Sequence, residues 1–328
     1  MFVRIEQLPI PALAFYGGLW ALLAGIAHLV IWSDRSAPWG ALDGRILLIA
    51  LWTPYCLGLV AYLSRTAGRA LDDFRQALDV SDHEFVRLRH EFAVLPARPV
   101  ALANASGAVL CLVTLWTSPK IAAPLTRSSW LGAINVGIAV IGVACSLVLV
   151  YQTFRHLRLI RHTYQRASRL KLFQENQLYA FSALTLRIGI GWLVIVYTGV
   201  LVFPGLLTSP LWLGTAATLI ASIAASLVAT LSDIHQRISA DKARQLDEVH
   251  RLLETVFSRL NQHVREGQTQ EVSSLREAVT ALDLERNVLL KAPTWPWQPG
   301  TMATFLTALS LPLLIWLLQK LIGRLMGL

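Results

Sequence analysis

The stretch of sequence that decides the fold is Asp233–Lys291, which reads DIHQRISADKARQLDEVHRLLETVFSRLNQHVREGQTQEVSSLREAVTALDLERNVLLK. It is polar and charged, yet it lies between two apolar segments, Trp212–Leu231 and Thr301–Ile322. Each of these segments is long enough for a helix that crosses a hydrocarbon core of roughly 30 Å. A polar insert that begins and ends at a bilayer therefore indicates where the membrane lies and which side of it is wet.

The polar stretch predicts two helices separated by Glu266-Gly267-Gln268. Asp233–Val264 contains no proline or glycine and continues the preceding apolar segment without a break. Apolar residues recur in each helix mainly at intervals of three and four, the spacing of a heptad seam. The seam residues are Leu246, Val249, Leu253, Val256 and Leu260 in the first helix and Val272, Leu275, Val279, Leu282 and Leu289 in the second. We predict that the two helices bury these seams against each other or against a neighbouring subunit.

The composition is that of a membrane protein. Of the 328 residues, 55% are hydrophobic and 15% are charged, whereas soluble proteins carry about 25% charged residues. A net charge of +9 would suggest a nucleic-acid partner for a soluble protein, but here the basic residues follow membrane topology, so we expect none. Cys56, Cys111 and Cys145 lie in apolar segments without metal-ligand spacing, so we interpret them as small apolar side chains.

The hydropathy pattern predicts an all-α polytopic membrane protein with about seven transmembrane helices and a cytoplasmic helical layer. We expect six spans in residues 1–232, with helix-patterned excursions at 65–98 and 153–182. A helical hairpin at 233–300 and a last span in 301–328 follow. The predicted spans are 10–32, 46–64, 99–117, 130–152, 183–203, 212–232 and 301–323.

The distribution of basic residues predicts the orientation of the chain. Most of the 29 lysines and arginines lie in the long connections, and few lie in the short loops. Because cytoplasmic loops carry the excess of Lys and Arg, we expect the N-terminus and the long connections in the cytoplasm and the C-terminus outside. We expect an integral protein of a bacterial inner (plasma) membrane.

Both excursions carry local signals. Ser81-Asp82-His83-Glu84 is a capping-box pattern that predicts the start of a helix with Phe85, Leu88 and Phe92 on one face. The second excursion is a basic amphipathic helix. Its basic residues are candidates for binding anionic lipid head groups or a soluble phosphate ligand, and alternatively they only set the topology. These candidates are Arg155, Arg158, Arg161, Arg166, Arg169 and Lys171.

Signals of catalysis or metal binding are weak. All 20 acidic residues lie outside the predicted spans, which argues against a proton-driven carrier. His28 lies within the first span, where we expect it to bond to a neighbouring helix. His83 and His90 are seven residues apart, too far to share a metal ion without other ligands. No phosphate-binding loop, nucleophile elbow or dinucleotide-binding pattern is present, so we expect neither an enzyme nor a metal or cofactor.

The last span carries the most suggestive pattern. Pro293–Gly300 is a proline-rich start, and hydroxyl-bearing residues then recur at intervals of three. Around a symmetry axis these residues would form a polar vestibule with an apolar constriction beyond it, although Thr and Ser also bond to their own helix. The pore-lining candidates are Thr301, Thr304, Thr307, Leu311 and Ile315.

The predicted layout combines a cytoplasmic N-terminus, seven spans, a cytoplasmic helical layer and an outer C-terminus. It resembles the layout of insect chemoreceptor channels, and the resemblance is one of layout, with no motif and no site residue carried over. We predict a homo-oligomeric, channel-like protein that is regulated through its cytoplasmic helices and contacts the bilayer and its anionic lipids. The alternatives are a non-conducting membrane scaffold or signalling anchor that recruits a partner through these helices, and a carrier that uses uncharged polar groups.

Overall fold

The computed structural model describes residues 11–35, 37–123, 125, 132–166, 181–202, 210–266, 269–292 and 294, and these residues form helices and no strand. The helices are α1 (Ala12–Ser33), α2 (Gly44–Phe74), α3 (Asp82–Ala93), α4 (Ala97–Thr117), α5 (Pro119–Ala122), α6 (Gly132–Gln165), α7 (Ser182–Val202), α8 (Pro210–Glu266) and α9 (Thr269–Lys291). A short 3-10 helix, Arg75–Ala77, follows α2. The all-α fold class is confirmed for this part of the chain.

Four of these helices, α1, α2, α4 and α6, are long and apolar enough to cross a membrane, which indicates a membrane-embedded protein. The predicted segments 183–203 and 212–232 fall on α7 and on the first part of α8, so both are helical over their described residues. The predicted span 301–323 lies outside the described residues. The count of seven spans and the cytoplasmic position of the helical layer therefore stay predictions.

Two of the membrane helices are longer than a bilayer requires. About 20 residues cross a hydrocarbon core of roughly 30 Å, whereas α2 has 31 residues and α6 has 34. The predicted span of α2 ends at residue 64, but the helix continues to Phe74, because buried Ala67, Leu71 and Phe74 maintain one apolar face. In α6, residues 132–152 hold the apolar span and 153–165 extend beyond it, with buried Leu157, Ile160 and Tyr164 on one face.

The first excursion folds onto these extensions. In α3 the Ser81 hydroxyl accepts a hydrogen bond from the Glu84 N–H at 3.3 Å, and the Glu84 carboxylate accepts one from the Ser81 N–H at 3.2 Å, so the predicted capping box is confirmed. The three apolar residues predicted on one face of α3 are buried. An aromatic cluster joins α2, α3, α6 and the residue before α7, and consists of Phe74, Phe92, Tyr164 and Phe181.

Small residues let the membrane helices approach closely. A Cβ atom added at Gly107 of α4 would lie 2.7 Å from the Cα of Ala144 on α6, so only glycine fits at this contact. Ala144 is among the small residues whose sequence pattern favours close helix packing. Helices α1, α6 and α7 each pack against α2.

Helices α8 and α9 form a long hairpin. Helix α8 has 57 residues, about 86 Å at 1.5 Å per residue. Helix α9 packs along it in the antiparallel direction, because Arg286 bonds to His250 while Lys242 bonds to residues at the end of α9. Val249 and Leu289 are buried and the other seam residues are half-buried, so within one chain the seams face each other.

Candidate functional site

The five pore-lining candidates, Thr301, Thr304, Thr307, Leu311 and Ile315, all lie outside the described residues. The structure does describe how the chain approaches them. Helix α9 ends at Lys291, and the next residues lie against α8 near the point where the predicted span 212–232 ends. This junction is the candidate functional site, and we call it the hairpin base: His235, Lys242, Leu290, Ala292 and Thr294.

Lys242 holds the end of α9. Its ammonium group donates hydrogen bonds to the carbonyl oxygens of Leu290 and Ala292, each at 2.8 Å. The last four carbonyl groups of a helix have no partner within the helix, and they carry the negative end of its dipole. A lysine from the neighbouring helix therefore both caps α9 and neutralises its end.

His235 holds the segment that follows. Its Nδ1 lies 3.0 Å from the carbonyl oxygen of Thr294, so this nitrogen carries a proton and donates. His235 lies three residues beyond the predicted span 212–232. Residue 294 is therefore close to the level at which α8 leaves the predicted span.

The basic residues predicted to bind anions do not form one cluster. Arg155 is half-buried and donates to the carbonyl oxygen of Val94 at 2.8 Å, so it fastens the connection between α3 and α4 to α6. Arg158, Arg161 and Arg166 are exposed. The two remaining candidates, Arg169 and Lys171, lie outside the described residues.

A surface cavity of about 320 Å³ lies between α3 and the end of α6. Two carboxylates, two guanidinium groups and one imidazole line it, so its charge is mixed, and Arg87 pairs with Glu91 within its wall. The lining residues are Glu84, Arg87, Leu88, Glu91, His162 and Arg166. A purely anionic ligand would meet both carboxylates there.

A buried polar stripe runs along α6 where the helix leaves its apolar span. The Gln152 amide donates to the Val60 carbonyl oxygen at 2.9 Å and to the Ser64 hydroxyl at 3.0 Å. One residue later, the Thr153 hydroxyl accepts a hydrogen bond from the Trp192 indole at 3.0 Å. These bonds join α6 to α2 and α7 and satisfy the Gln152 amide nitrogen, whereas its side-chain oxygen is buried without a partner among the described residues.

His156 continues this stripe one turn further, beyond the span. Its Nε2 lies 3.3 Å from the carbonyl oxygen of Phe92, and its ring stacks on that of Phe92 with centroids 6.1 Å apart. The imidazole is fully buried. Burial, which disfavours the imidazolium form, lowers the pKa of His156 to about 4, and the charge of Arg155 acts in the same direction. The residue is therefore a neutral packing element between α6 and α3.

The other histidines singled out by the sequence have different environments. His28 is buried, its Nδ1 lies 2.8 Å from the Ala24 carbonyl oxygen, and its Nε2 accepts a hydrogen bond from the Asp43 N–H at 3.0 Å. It therefore joins α1 to the residue that caps α2. His83 and His90 are both exposed on α3. No group of three or more metal-ligating side chains occurs among the described residues.

Neither the hairpin base nor the buried stripe was predicted from the sequence. Gln152 and His156 carry a detectable signal, because these two polar residues share one helical face with the apolar residues Leu149 and Ile160. Lys242 carries none, because its partners lie about 50 residues further along the chain. Comparison with known protein families, with curated proteins and with solved structures gave no match.

Proposed function

We propose that this chain is one subunit of a homo-oligomeric, channel-like membrane protein whose α8–α9 hairpin regulates the last apolar segment, 301–323. The observation that carries the proposal is the hairpin base. Lys242 and His235 fix the chain at residues 290–294, just before the segment that holds the pore-lining candidates. In this proposal the hairpin lies in the cytoplasm, the N-terminus is cytoplasmic, the C-terminus is outside, and the membrane is a bacterial inner membrane.

The hairpin base supports mechanical coupling between the hairpin and the pore. Helix α9 is continuous from Thr269 to Lys291, so a tilt of the hairpin moves its end as a rigid body. Pro293, Pro296 and Pro299 restrict the backbone that follows. In this proposal a movement of α9 is passed on to the segment that begins at residue 301.

The polar and apolar residues of the last segment support its role as the pore. Thr301, Thr304 and Thr307 would line a wet vestibule, and Leu311 and Ile315 would form an apolar constriction beyond it. An apolar ring in a narrow pore blocks ions by expelling water, and a change in its diameter or polarity opens it. A span that has no hairpin partner of its own can occupy the symmetry axis without disturbing the other six.

Planar-bilayer recording with purified protein tests this function. Thr304→Leu is expected to lower the conductance, because an apolar ring narrows the wet path, and Ile315→Ser is expected to ease opening. Leu306→Ala, about 200° around the helix from Thr304, is the matched control and is expected to leave the conductance unchanged. Silence of the wild type and of all variants, with the fold intact, would show that the protein does not conduct.

The second candidate is the non-conducting scaffold or signalling anchor. Exposed apolar side chains on the hairpin favour it, because Leu284 and Phe257 are 66% and 46% exposed although both are large. Contiguous exposed apolar surface marks sites that bind another protein, and on α9 Leu284 lies one turn from Val288, which is 44% exposed. The scaffold predicts no current, and it predicts that Leu284→Ser weakens assembly whereas Thr304→Leu does not.

A further inference from the structure

Arg187 near the start of α7 is held in a fixed position on the surface of the bundle. Its guanidinium donates to the hydroxyl of Thr66 on α2 at 3.2 Å and lies over the ring of Tyr62, with 5.4 Å between its central carbon and the ring centroid. Thr66 is buried, whereas Arg187 is exposed and Tyr62 is 47% exposed. Because the contacts with Tyr62 and Thr66 orient this arginine, part of the entropy cost of binding an anion has already been met.

Further positive charge lies beside Arg187 on α2. Arg65 and Arg69 are exposed and one turn apart, on the same side of the helix as Tyr62. The two helices are antiparallel, because the hydroxyl of Tyr55 bonds to the carbonyl oxygen of Gly191 at 3.1 Å while Thr66 lies against Arg187. Arg69 therefore lies near the level at which α7 begins, one turn beyond Arg187 in the direction away from the membrane.

The nearby carboxylates lie further from the membrane than these arginines. Asp72 is paired with Arg89 of α3 at 3.1 Å. Asp73 follows Arg69 by four residues, so it lies on the same face of α2, one turn further from the membrane. The surface between Arg69 and Arg187 is therefore positive at the depth of the lipid head groups.

An apolar stripe continues from Arg187 towards the membrane. Ile190 and Val194 lie three and seven residues after Arg187, on the same face of α7, and are 39% and 43% exposed. In a membrane-embedded helix such side chains face acyl chains. The face therefore has the two parts of an amphiphile site, with guanidinium groups at the head-group level and an apolar strip beside them.

We propose that this face of α2 and α7 binds an anionic phospholipid of the leaflet next to the helical layer. Arg187 and Arg69 contact the head-group phosphate, Tyr62 lies at the head-group boundary, and Ile190 and Val194 lie along one acyl chain. Arginine binds phosphate through two parallel hydrogen bonds, so an oriented Arg187 guanidinium is suited to a head-group phosphate. The apolar strip selects a lipid over free phosphate, and this site is independent of whether the protein conducts.

Native mass spectrometry of the full chain tests this site. The protein is released from detergent micelles that contain equal amounts of phosphatidylglycerol and phosphatidylcholine, and the bound lipids are counted. The wild type is expected to retain phosphatidylglycerol preferentially. An arginine at the membrane surface adds about 1 kcal/mol to the binding of anionic lipid, so Arg69→Gln is expected to lower this preference about fivefold. The double variant Arg69→Gln/Arg187→Gln is expected to abolish most of it.

The controls separate the lipid site from general basicity and from phosphate binding. Arg251→Gln/Arg259→Gln removes two exposed arginines of the hairpin and is expected to preserve the preference. Ile190→Gln is expected to lower lipid retention, because it interrupts the apolar strip. The Arg69→Gln variant keeps the contacts of Arg187 with Thr66 and Tyr62. If the double variant does not fold, the lipid preference of Arg69→Gln alone tests the site. An unchanged preference in Arg69→Gln, or equal stabilisation by inorganic phosphate in place of the lipid, would overturn the proposal.

Discussion

The ammonium group of Lys242 lies 2.8 Å from the carbonyl oxygen of Ala292, although 50 residues separate them in the sequence. The first residue lies on α8 and the second follows the end of α9, so their bond closes the hairpin at its base. A hairpin that is closed in this way moves as one unit with the chain that leaves it. Together with the contact between His235 and Thr294, this bond positions the chain that follows α9 more directly than the seam does.

We expect Lys242→Met to release the end of α9. The variant keeps a long apolar side chain but removes two charge-assisted hydrogen bonds to carbonyl oxygens. Because the site is partly exposed, we expect a loss of about 1–2 kcal/mol in the free energy of unfolding. Hydrogen exchange of the amides in the last turn of α9 is expected to accelerate.

Lys291→Met is the matched control. Lys291 is exposed and lies in the last turn of α9, the turn that Lys242 contacts from α8. It is expected to change the exchange rates much less than Lys242→Met does. Equal exchange rates in both variants would mean that Lys242 does not hold the base. A larger increase in the exchange rates in Lys291→Met than in Lys242→Met would also contradict this role of Lys242.

The seam predicts a contrast between two adjacent leucines. Leu253→Asp places a carboxylate in the half-buried seam, where it finds no partner in the predicted pairing, so we expect a loss of about 2 kcal/mol and a lower unfolding temperature. Leu252→Asp makes the same chemical change one residue earlier, where the side chain is 48% exposed. We expect it to cost much less. Equal unfolding temperatures for the two variants would show that the seam faces water.

Local signals in the sequence were sufficient to predict several of the described helices. The α8 pattern is continuous and free of proline over more than thirty residues after the apolar segment, so one long helix was predictable. The start of α3 was equally predictable, because Ser81 and Glu84 satisfy each other within one turn. Residues 65–98 were predicted to be helical, but the continuation of α2 from its span to Phe74 as one helix was not predicted. Its apolar face is recognisable only once the partner residues on α3 and α6 are known.

The candidate sites depend on contacts between distant residues, so the sequence predicted little of them. The Arg155 side chain belongs to a basic run, but its bond to Val94 joins residues 61 apart and removes it from the exposed set. Arg187 was not predicted as a site residue, because its partner Thr66 lies 121 residues earlier. Periodicity places residues on one face of a helix, and it does not identify the helix that covers that face.

Cysteine labelling of intact cells tests the orientation of the chain. In a cysteine-free background, Ser81→Cys and Ser258→Cys place thiols at exposed positions of the helical layer and the hairpin, and we expect no reaction with a membrane-impermeant maleimide. Ser36→Cys, which lies outside the described residues, is in a short loop and is expected to react. Labelling of Ser81→Cys or Ser258→Cys from outside would reverse the proposed topology.

Burial of His156 couples stability to pH. In the folded chain its pKa is lowered to about 4, whereas in the unfolded chain the imidazole titrates near its ordinary value of about 6.5. Between these values the unfolded chain binds more protons than the folded chain does, so the free energy of unfolding falls as the pH is lowered through this window. The loss begins near pH 6.5 and is complete near pH 4.

We expect this loss to reach about 3 kcal/mol, since one pKa unit corresponds to about 1.4 kcal/mol. The unfolding temperature in micelles, measured from pH 7 to pH 4, gives the slope. His156→Phe keeps a planar ring against Phe92 but cannot titrate, so its slope is expected to be shallower even if the lost hydrogen bond lowers its stability at pH 7. His83→Gln removes an exposed imidazole of α3 and is expected to keep the slope of the wild type. A slope in His156→Phe as steep as that of the wild type would assign the acid sensitivity to another group, because protonation of His156 would then cost the fold nothing.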